Sequence, residues 1–217
     1  MAKTEHYYTR FENDGIYHIY NRTIDKKPMF LSVDNYAYFI RQFDKYLSNY
    51  IKIYAYCLLG NHFHFMIKVN DLTDLTTFQK LSNLNEKLSN LKEKTTHDIV
   101  SQQFKKFFQS YAMAFNKQQN RVGTLFQTPF KRVRVEDEKY LRELVCYINT
   151  NAQKHNLVKD FKDWKWSSYN SIVYNKKTKL LKDELMGYFN DAENLIYCHQ
   201  EYAKKIDAIE RDFFIED

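Results

Sequence analysis

The sequence predicts an α+β fold built on a four-stranded antiparallel sheet. Segments rich in β-branched and aromatic residues alternate with longer segments whose apolar residues recur every three or four positions, which indicates strands alternating with amphipathic helices. Two of the strand segments are separated only by a Gly-Asn pair, a sequence typical of a β-hairpin turn. Gly and Pro number only 4 and 2 among 217 residues, so we expect few disordered linkers.

A strand and a helix come first. Residues Gly15–Ile24 are rich in Ile, Tyr and Thr, which favours a strand. The segment from about Asp34 to Ser48 carries one apolar stripe at helical spacing, which predicts an amphipathic helix. Ser32 or Asp34 is suited to cap this helix, because a short polar side chain can accept a hydrogen bond from the first backbone amides.

A hairpin follows this helix. The segments Ile51–Leu59 and His62–Val69 are both dominated by apolar and aromatic residues, and each is typical of a strand. The dipeptide Gly60-Asn61 between them is suited to a two-residue turn. The prediction is therefore a β-hairpin of two antiparallel strands, with the second strand central in the sheet.

The second half of the core is mainly helical. Leu72–Gln118 has two apolar stripes with a break near Thr95-Thr96, which predicts two helices. Val122–Val135 is expected to hold another strand, and Asp137–Asn149 a short amphipathic helix. This order of elements is that of a ferredoxin-like βαββαβ core with extra helices, followed by a helical C-terminal extension.

Charge is distributed unevenly along the chain. The net charge is +6, but Asp183–Asp217 carries −7, which leaves +13 on the residues before it. We therefore predict a main domain over residues 1–170 and an acidic helical extension over residues 171–217. The segment Ile99–Val135 has seven basic residues and no acidic one. This asymmetry indicates a polyanion partner, although a solvated basic face would give the same pattern.

Cysteine usage and hydropathy exclude several protein classes. Cys57, Cys146 and Cys198 are far apart and odd in number, which argues against a disulfide framework and against a cysteine zinc site. No apolar run approaches the ~20 residues of a membrane helix, and the polar N-terminal segment does not resemble a signal peptide. We expect a cytoplasmic protein without membrane contact.

The hairpin contains a pair of histidines that can bind a metal. His62 and His64 lie two positions apart on the predicted strand, so both imidazoles project from the same face while Phe63 points to the other. Two neutral imidazoles at this separation can chelate one divalent cation. Two polar groups on a half-exposed strand are the alternative interpretation.

A second candidate pair lies on the last helix of the core. Tyr147 and Asn151 are four residues apart, so their side chains share one helix face. A tyrosine phenoxide can attack phosphorus, and an amide oxygen suits a hard cation. In a chain with 18 tyrosines, a core aromatic at helical spacing is the alternative for Tyr147. Tyr111, which lies in a Phe-rich helical stripe, is the rival nucleophile.

Several sequence segments, taken together, resemble a known family. The histidine pair lies within Leu58–Ile67, and four further segments occur in a fixed order along the chain: Tyr17–Arg22, Arg121–Lys131, Tyr147–His155 and Trp164–Tyr169. In this order they resemble the HUH (His-hydrophobe-His) single-tyrosine transposases of the smallest bacterial insertion sequences. The sequence is most similar to the branch associated with repetitive extragenic palindromes (REP), and the resemblance covers roughly residues 15–170.

This resemblance implies a function and a set of site residues. Tyr147 would be the nucleophile that joins a 5′ phosphate, and His62, His64 and Asn151 would hold Mg²⁺ or Mn²⁺. The expected substrate is single-stranded DNA with a hairpin or palindromic structure, cut and rejoined in DNA transposition. A domesticated protein that binds hairpins without cutting, and a metal-dependent nuclease that uses water, are the alternatives.

The basic residues supply candidate DNA contacts. Their ammonium and guanidinium groups can neutralise phosphates, which makes affinity dependent on salt. The candidate DNA contacts are Arg22, Lys105, Lys106, Lys117, Arg121, Lys131, Arg132 and Arg134.

Joining two DNA ends with one tyrosine per chain requires either a homodimer or sequential turnover.

Three features depart from the family pattern. Ala152 stands where the family usually has Pro, which we expect only to loosen the end of the helix. The helical stretch 72–118 is longer than one crossover helix needs, so an insertion or a dimer contact is expected there. The acidic C-terminal extension would either pack near the active site or shield the basic face.

Overall fold

A computed structural model describes residues 8–73, 94–174 and 177–208. Four strands form one sheet in the order β2-β3-β1-β4. This is the order expected of a ferredoxin-like core, and it confirms the predicted α+β class with an antiparallel sheet. The strands are β1 Ile16–Arg22, β2 Ile51–Leu58, β3 His62–Val69 and β4 Lys131–Arg134.

Helices account for most of the remaining described residues. None of them combines the length and apolar character needed to cross a bilayer. The apolar stripe predicted between residues 75 and 91 lies outside the described residues. The helices are α1 Val33–Leu47, α2 Thr96–Gln118, α3 Glu138–Lys154, α4 Tyr169–Val173, α5 Lys182–Phe189 and α6 Ala192–Ala208, with a short 3-10 helix at Phe161–Asp163.

The helix starts follow the predicted capping chemistry. The Ser32 side chain accepts a hydrogen bond from the Asn35 backbone N–H, so Ser32 rather than Asp34 caps α1. Thr95 and Asp98 form a reciprocal capping box at the start of α2, which satisfies backbone amides that the helix itself leaves unbonded. The break predicted near Thr95-Thr96 is therefore the N-terminus of α2.

Two backbone hydrogen bonds fix the register between β1 and β3. The Val69 N–H donates to the Gly15 carbonyl at 2.9 Å, and the Thr23 N–H donates to the Asn61 carbonyl at 3.0 Å. The residue number rises along β1 while that of its partner falls along β3, so the two strands are antiparallel. From the first pair to the second, the pairing advances by the same number of residues on both strands, so no bulge shifts one end of the ladder relative to the other.

The chain forms two compact units. The first comprises residues 1–52, 60–62 and 67–135, and the second comprises residues 53–59, 63–66 and 136–217. In the first unit, α1 packs on α2 through aromatic side chains that include Phe39 and Phe107, whose ring centroids lie 4.9 Å apart.

Tyr111 belongs to the aromatic core of the first unit. Its side chain is buried, and its hydroxyl donates to the Met29 carbonyl at 2.7 Å. Burial raises the pKa of its phenol, which disfavours the phenoxide that nucleophilic attack requires. Tyr111 is therefore a structural residue rather than a second nucleophile.

In the second unit, the Trp164–Tyr169 segment joins the edge of β2. The Leu58 N–H donates to the Trp166 carbonyl at 2.9 Å, and the Trp164 indole N–H donates to the Leu58 carbonyl at 3.0 Å. The Ser168 N–H donates to the Tyr56 carbonyl at 2.9 Å. These bonds cover part of an edge strand that would otherwise expose unpaired backbone groups.

Two local predictions were wrong. The loop between β2 and β3 has three residues, 59–61, and neither Gly60 nor Asn61 has the positive φ of a two-residue type I′ turn. Hydrogen bonds from the Met29 and Phe30 amides to the Gly60 carbonyl hold this loop instead. The α3 helix continues five residues beyond the predicted end to Lys154, and Ala152 is buried inside it.

Candidate active site

The two histidines lie on β3 and are both buried. His62 and His64 share one face of this strand because side chains alternate along it. The pair is therefore not the half-exposed polar surface that was the alternative interpretation. Burial of two imidazoles side by side requires polar partners or a ligand to compensate for lost hydration.

Asn61 orients the His62 ring. The Asn61 side-chain amide N–H₂ donates to the Lys26 carbonyl at 2.6 Å, which directs its carbonyl oxygen toward His62 Nδ1 at 2.7 Å. Because an amide oxygen only accepts, His62 carries its proton on Nδ1 and its lone pair on Nε2. A metal-binding histidine needs this arrangement, with one ring nitrogen fixed by a hydrogen bond and the other facing the cation.

The α3 helix places the candidate nucleophile against the second histidine. Tyr147 is 8% exposed, and its ring lies 5.4 Å from the His64 ring, centroid to centroid, at an interplanar angle of 80°. This edge-to-face contact joins two residues 83 positions apart in sequence. Tyr147 therefore sits beside an imidazole of the predicted metal pair.

Asn151 has a buried amide that needs a ligand. The residue is 0% exposed, and neither its side-chain oxygen nor its side-chain nitrogen has a hydrogen-bond partner within the described residues. Leaving a buried polar group without a partner costs about 1–3 kcal/mol. An amide oxygen and imidazole nitrogens are donors that suit a divalent cation such as Mn²⁺ or Mg²⁺, so the residue types of this donor set fit the predicted metal.

The metal prediction depends on this amide. Within the described ranges, no group of three or more His, Cys, Asp or Glu side chains could hold a metal ion. The candidate set instead combines two histidines with one asparagine, and these residues lie on β3 and α3.

A buried hydrogen-bond chain holds α3 in place. The Tyr56 N–H donates to the Ser168 hydroxyl at 2.9 Å, which donates to the Asn149 side-chain oxygen at 2.6 Å. The Asn149 amide N–H₂ lies 3.0 Å from His199 Nε2, and His199 Nδ1 lies 2.7 Å from the Leu195 carbonyl. A carbonyl only accepts, so Nδ1 carries the proton and Nε2 accepts from Asn149.

This series of buried hydrogen bonds was not predicted from the sequence. It connects β2, the Trp-Ser-Ser-Tyr segment, α3 and α6 of the C-terminal extension. The α6 helix of the extension packs on α3, where His199 meets Asn149. The Trp-Ser-Ser-Tyr motif was the available signal, but its partner Asn149 lies 19 residues away.

Arg22 lies opposite His62, one of the candidate metal ligands. The register of β1 and β3 places it directly opposite His62, so both side chains project from the same face of the sheet. Its Nε atom is buried and has no hydrogen-bond partner within the described residues. A buried cationic donor of this kind suits an anionic ligand.

The other predicted DNA contacts fall into two groups. Lys105, Lys106 and Lys117 are exposed on α2. The remaining basic residues are half-buried and contact protein groups. Arg121 donates to the Asn116 side chain and the Thr124 carbonyl, and Arg132 donates to the Tyr8 and Thr9 carbonyls. Arg134 pairs with Glu12, and Lys131 lies over the Tyr20 ring.

Lys154 is a further charged residue close to Tyr147, the candidate nucleophile. Its Nζ atom lies 5.2 Å from the centroid of the Tyr147 ring. It lies within the Tyr147–His155 segment, but no role was predicted for it from the sequence, because a lysine in the last turn of a helix is ordinarily explained by the helix dipole.

Comparison with solved structures supports the same interpretation of the fold. A REP-associated tyrosine transposase bound to a REP hairpin matches with 18% sequence identity and a TM-score of 0.53, over 77% of this chain and 84% of that chain. No protein-family model and no curated protein matches the sequence. The element order, the sheet and this match together give the chain an HUH tyrosine transposase-like fold.

Proposed function

We propose that this protein is a transposase-like enzyme that cleaves and rejoins hairpin-containing single-stranded DNA through a covalent link to Tyr147. The observation that carries the proposal is the arrangement of α3 beside β3. The Tyr147 ring contacts His64, and one helical turn further Asn151 presents a buried amide without a partner. A purely structural helix would have apolar residues at these positions.

The proposed chemistry is a phosphoryl transfer. The phenol oxygen of Tyr147 attacks the scissile phosphorus, a new P–O bond forms, and the bond from phosphorus to the 3′ oxygen breaks. The phenol proton passes to solvent, and the leaving 3′ oxygen takes one proton to become a hydroxyl. The 5′ phosphotyrosyl bond retains the energy of the phosphodiester, so attack by another 3′ hydroxyl rejoins DNA without ATP.

His62, His64 and Asn151 are the residues that would hold the divalent cation. When bound, Mg²⁺ or Mn²⁺ would supply Lewis-acid stabilisation of the phosphate and orient the leaving oxygen. Asn61 fixes the tautomer of His62 that this binding requires. The Asn149 hydrogen-bond chain keeps α3 in register with the neighbouring β2 backbone.

Hairpin DNA is the proposed partner for two reasons. The solved structure with the same fold holds a REP hairpin, and the exposed lysines of α2 can contact phosphates without base specificity. Arg22 is proposed to contact the phosphate nearest the metal ligands, because its buried Nε has no protein partner in the described part of the chain.

A covalent-adduct assay tests the proposal. The wild-type protein is incubated with short single-stranded hairpin oligonucleotides and Mn²⁺, and the products are separated on a denaturing gel. We expect a protein–DNA conjugate from the wild type and none from Tyr147→Phe, which should still bind the hairpin. Tyr174→Phe is the matched control, since Tyr174 is an exposed tyrosine of the same unit.

The same assay distinguishes the alternatives. Adduct formation by Tyr147→Phe would refute the assignment of the nucleophile. Cleavage that survives this substitution without an adduct would indicate a nuclease that uses water. Hairpin binding by the wild type without cleavage would indicate a domesticated binding protein. An adduct yield that rises with the square of protein concentration would favour a homodimer over sequential turnover.

A further inference from the structure

We propose that Lys154 is a catalytic residue of this phosphoryl transfer, whose ammonium group contacts the scissile phosphate while Tyr147 attacks it. The inference rests on the proposed function, and it assigns a role to a side chain that the HUH motif and the metal ligands leave unexplained. It depends on the helix face that Lys154 occupies and on its distance from the nucleophile.

Lys154 shares a helix face with the other site residues of α3. It follows Tyr147 by seven residues and Asn151 by three, and these spacings bring side chains to one side of a helix with 3.6 residues per turn. In most helices this stripe would be apolar and face the core. Here it carries a phenol, an amide and an ammonium group.

The ammonium group lies over the ring that carries the reacting oxygen. Lys154 Nζ is 5.2 Å from the centroid of the Tyr147 ring, and the phenol oxygen is bonded directly to that ring. In an attack geometry the phosphorus lies about 3–3.5 Å from the attacking oxygen. The non-bridging phosphate oxygens then fall within reach of a flexible, half-exposed lysine side chain.

A cation at this position is suited to the transition state. Negative charge on the phosphate oxygens must be stabilised as bonds form and break, and preorganised cations beside a transferring phosphoryl group supply that stabilisation. Two structural roles would also place a lysine here: interaction with the helix C-terminus and packing of the cation on the Tyr147 ring. Both predict an effect on folding rather than on the chemical step.

The experiment compares three variants in single-turnover adduct formation with a saturating hairpin oligonucleotide and Mn²⁺. Lys154→Met keeps the apolar stem and removes the charge, and Lys154→Arg restores a cation. Lys159→Met removes an exposed lysine that follows the helix and serves as the matched control. Melting temperature and hairpin affinity are measured for each variant.

We expect the rate of Lys154→Met to fall about 100-fold, in the range found when one preorganised donor is removed, with its melting temperature and hairpin affinity unchanged. Lys154→Arg should recover most of the rate, and Lys159→Met should equal the wild type. A wild-type rate in Lys154→Met, or an equal loss in Lys159→Met, would overturn the assignment while leaving the proposed function intact. Absence of any wild-type adduct would overturn both.

Discussion

Acidification should destabilise the protein through His199, which is fully buried in α6 and neutral. Its Nε2 accepts from Asn149 and its Nδ1 donates to the Leu195 carbonyl. Burial lowers the pKa of this imidazole from 6.5 to about 4, against the opposing effect of backbone hydrogen bonds. The surrounding rings belong to Phe161, Tyr169 and Phe189, and the pKa of Tyr169 is raised to about 12, so these neighbours do not titrate in the same range.

The sign and size of the effect follow from linkage. The folded pKa is below the unfolded value, so the unfolded state binds more protons once the pH falls below 6.5. The stability is fully present above that pH and is lost as the pH falls toward 4. With these two pKa values, the loss between pH 7.5 and pH 5 is about 2 kcal/mol.

Urea unfolding at pH 7.5 and pH 5, followed by circular dichroism, measures this loss. The wild type should lose about 2 kcal/mol more free energy of unfolding over this interval than His199→Gln, whose side chain does not titrate. Gln200→Ala, at the exposed neighbouring position on α6, should behave like the wild type. Equal pH dependence of the wild type and His199→Gln would refute the reasoning that a buried neutral imidazole is required.

Three further predictions concern the candidate site and its DNA. Asn61→Ala should weaken Mn²⁺ binding 10–100-fold by titration calorimetry, because it removes the group that fixes the His62 tautomer; an unchanged affinity would exclude this role. His62→Ala or His64→Ala should abolish metal-dependent cleavage while the circular dichroism spectrum is retained, and undiminished cleavage by either would remove the metal site. Replacing three exposed lysines of α2 with Gln should lower the slope of log affinity against log salt by about 2–3, and an unchanged slope would place the DNA elsewhere. These lysines are Lys105, Lys106 and Lys117.

The sequence by itself determined the elements and the local geometry of the candidate residues. Hydrophobic periodicity located the strands and helices because burial of one face repeats every two residues in a strand and every three to four in a helix. The same periodicities placed His62 and His64 on one strand face and Tyr147 and Asn151 on one helix face. These relations extend over only a few residues, so they can be read without knowledge of the fold.

Sequence periodicity was less informative where tertiary contacts override local preference. The Gly60-Asn61 dipeptide favours a tight turn, but hydrogen bonds to the segment after β1 impose a three-residue loop. The helix of Tyr147 extends to Lys154 because residues such as Asn151 and Ala152 are buried, which stabilises a terminus that propensity alone leaves undefined.

Only the tertiary structure decided which side chains meet. The contact of Tyr147 with His64 and the hydrogen bonds from Ser168 through Asn149 to His199 join residues on different elements. Tyr147 and His64 are 83 residues apart in the sequence, and Asn149 and His199 are 50 residues apart. No period within one element encodes such distances; they arise when α3 and its neighbours bury their faces together, and burial then requires every enclosed polar group to find a partner or a ligand.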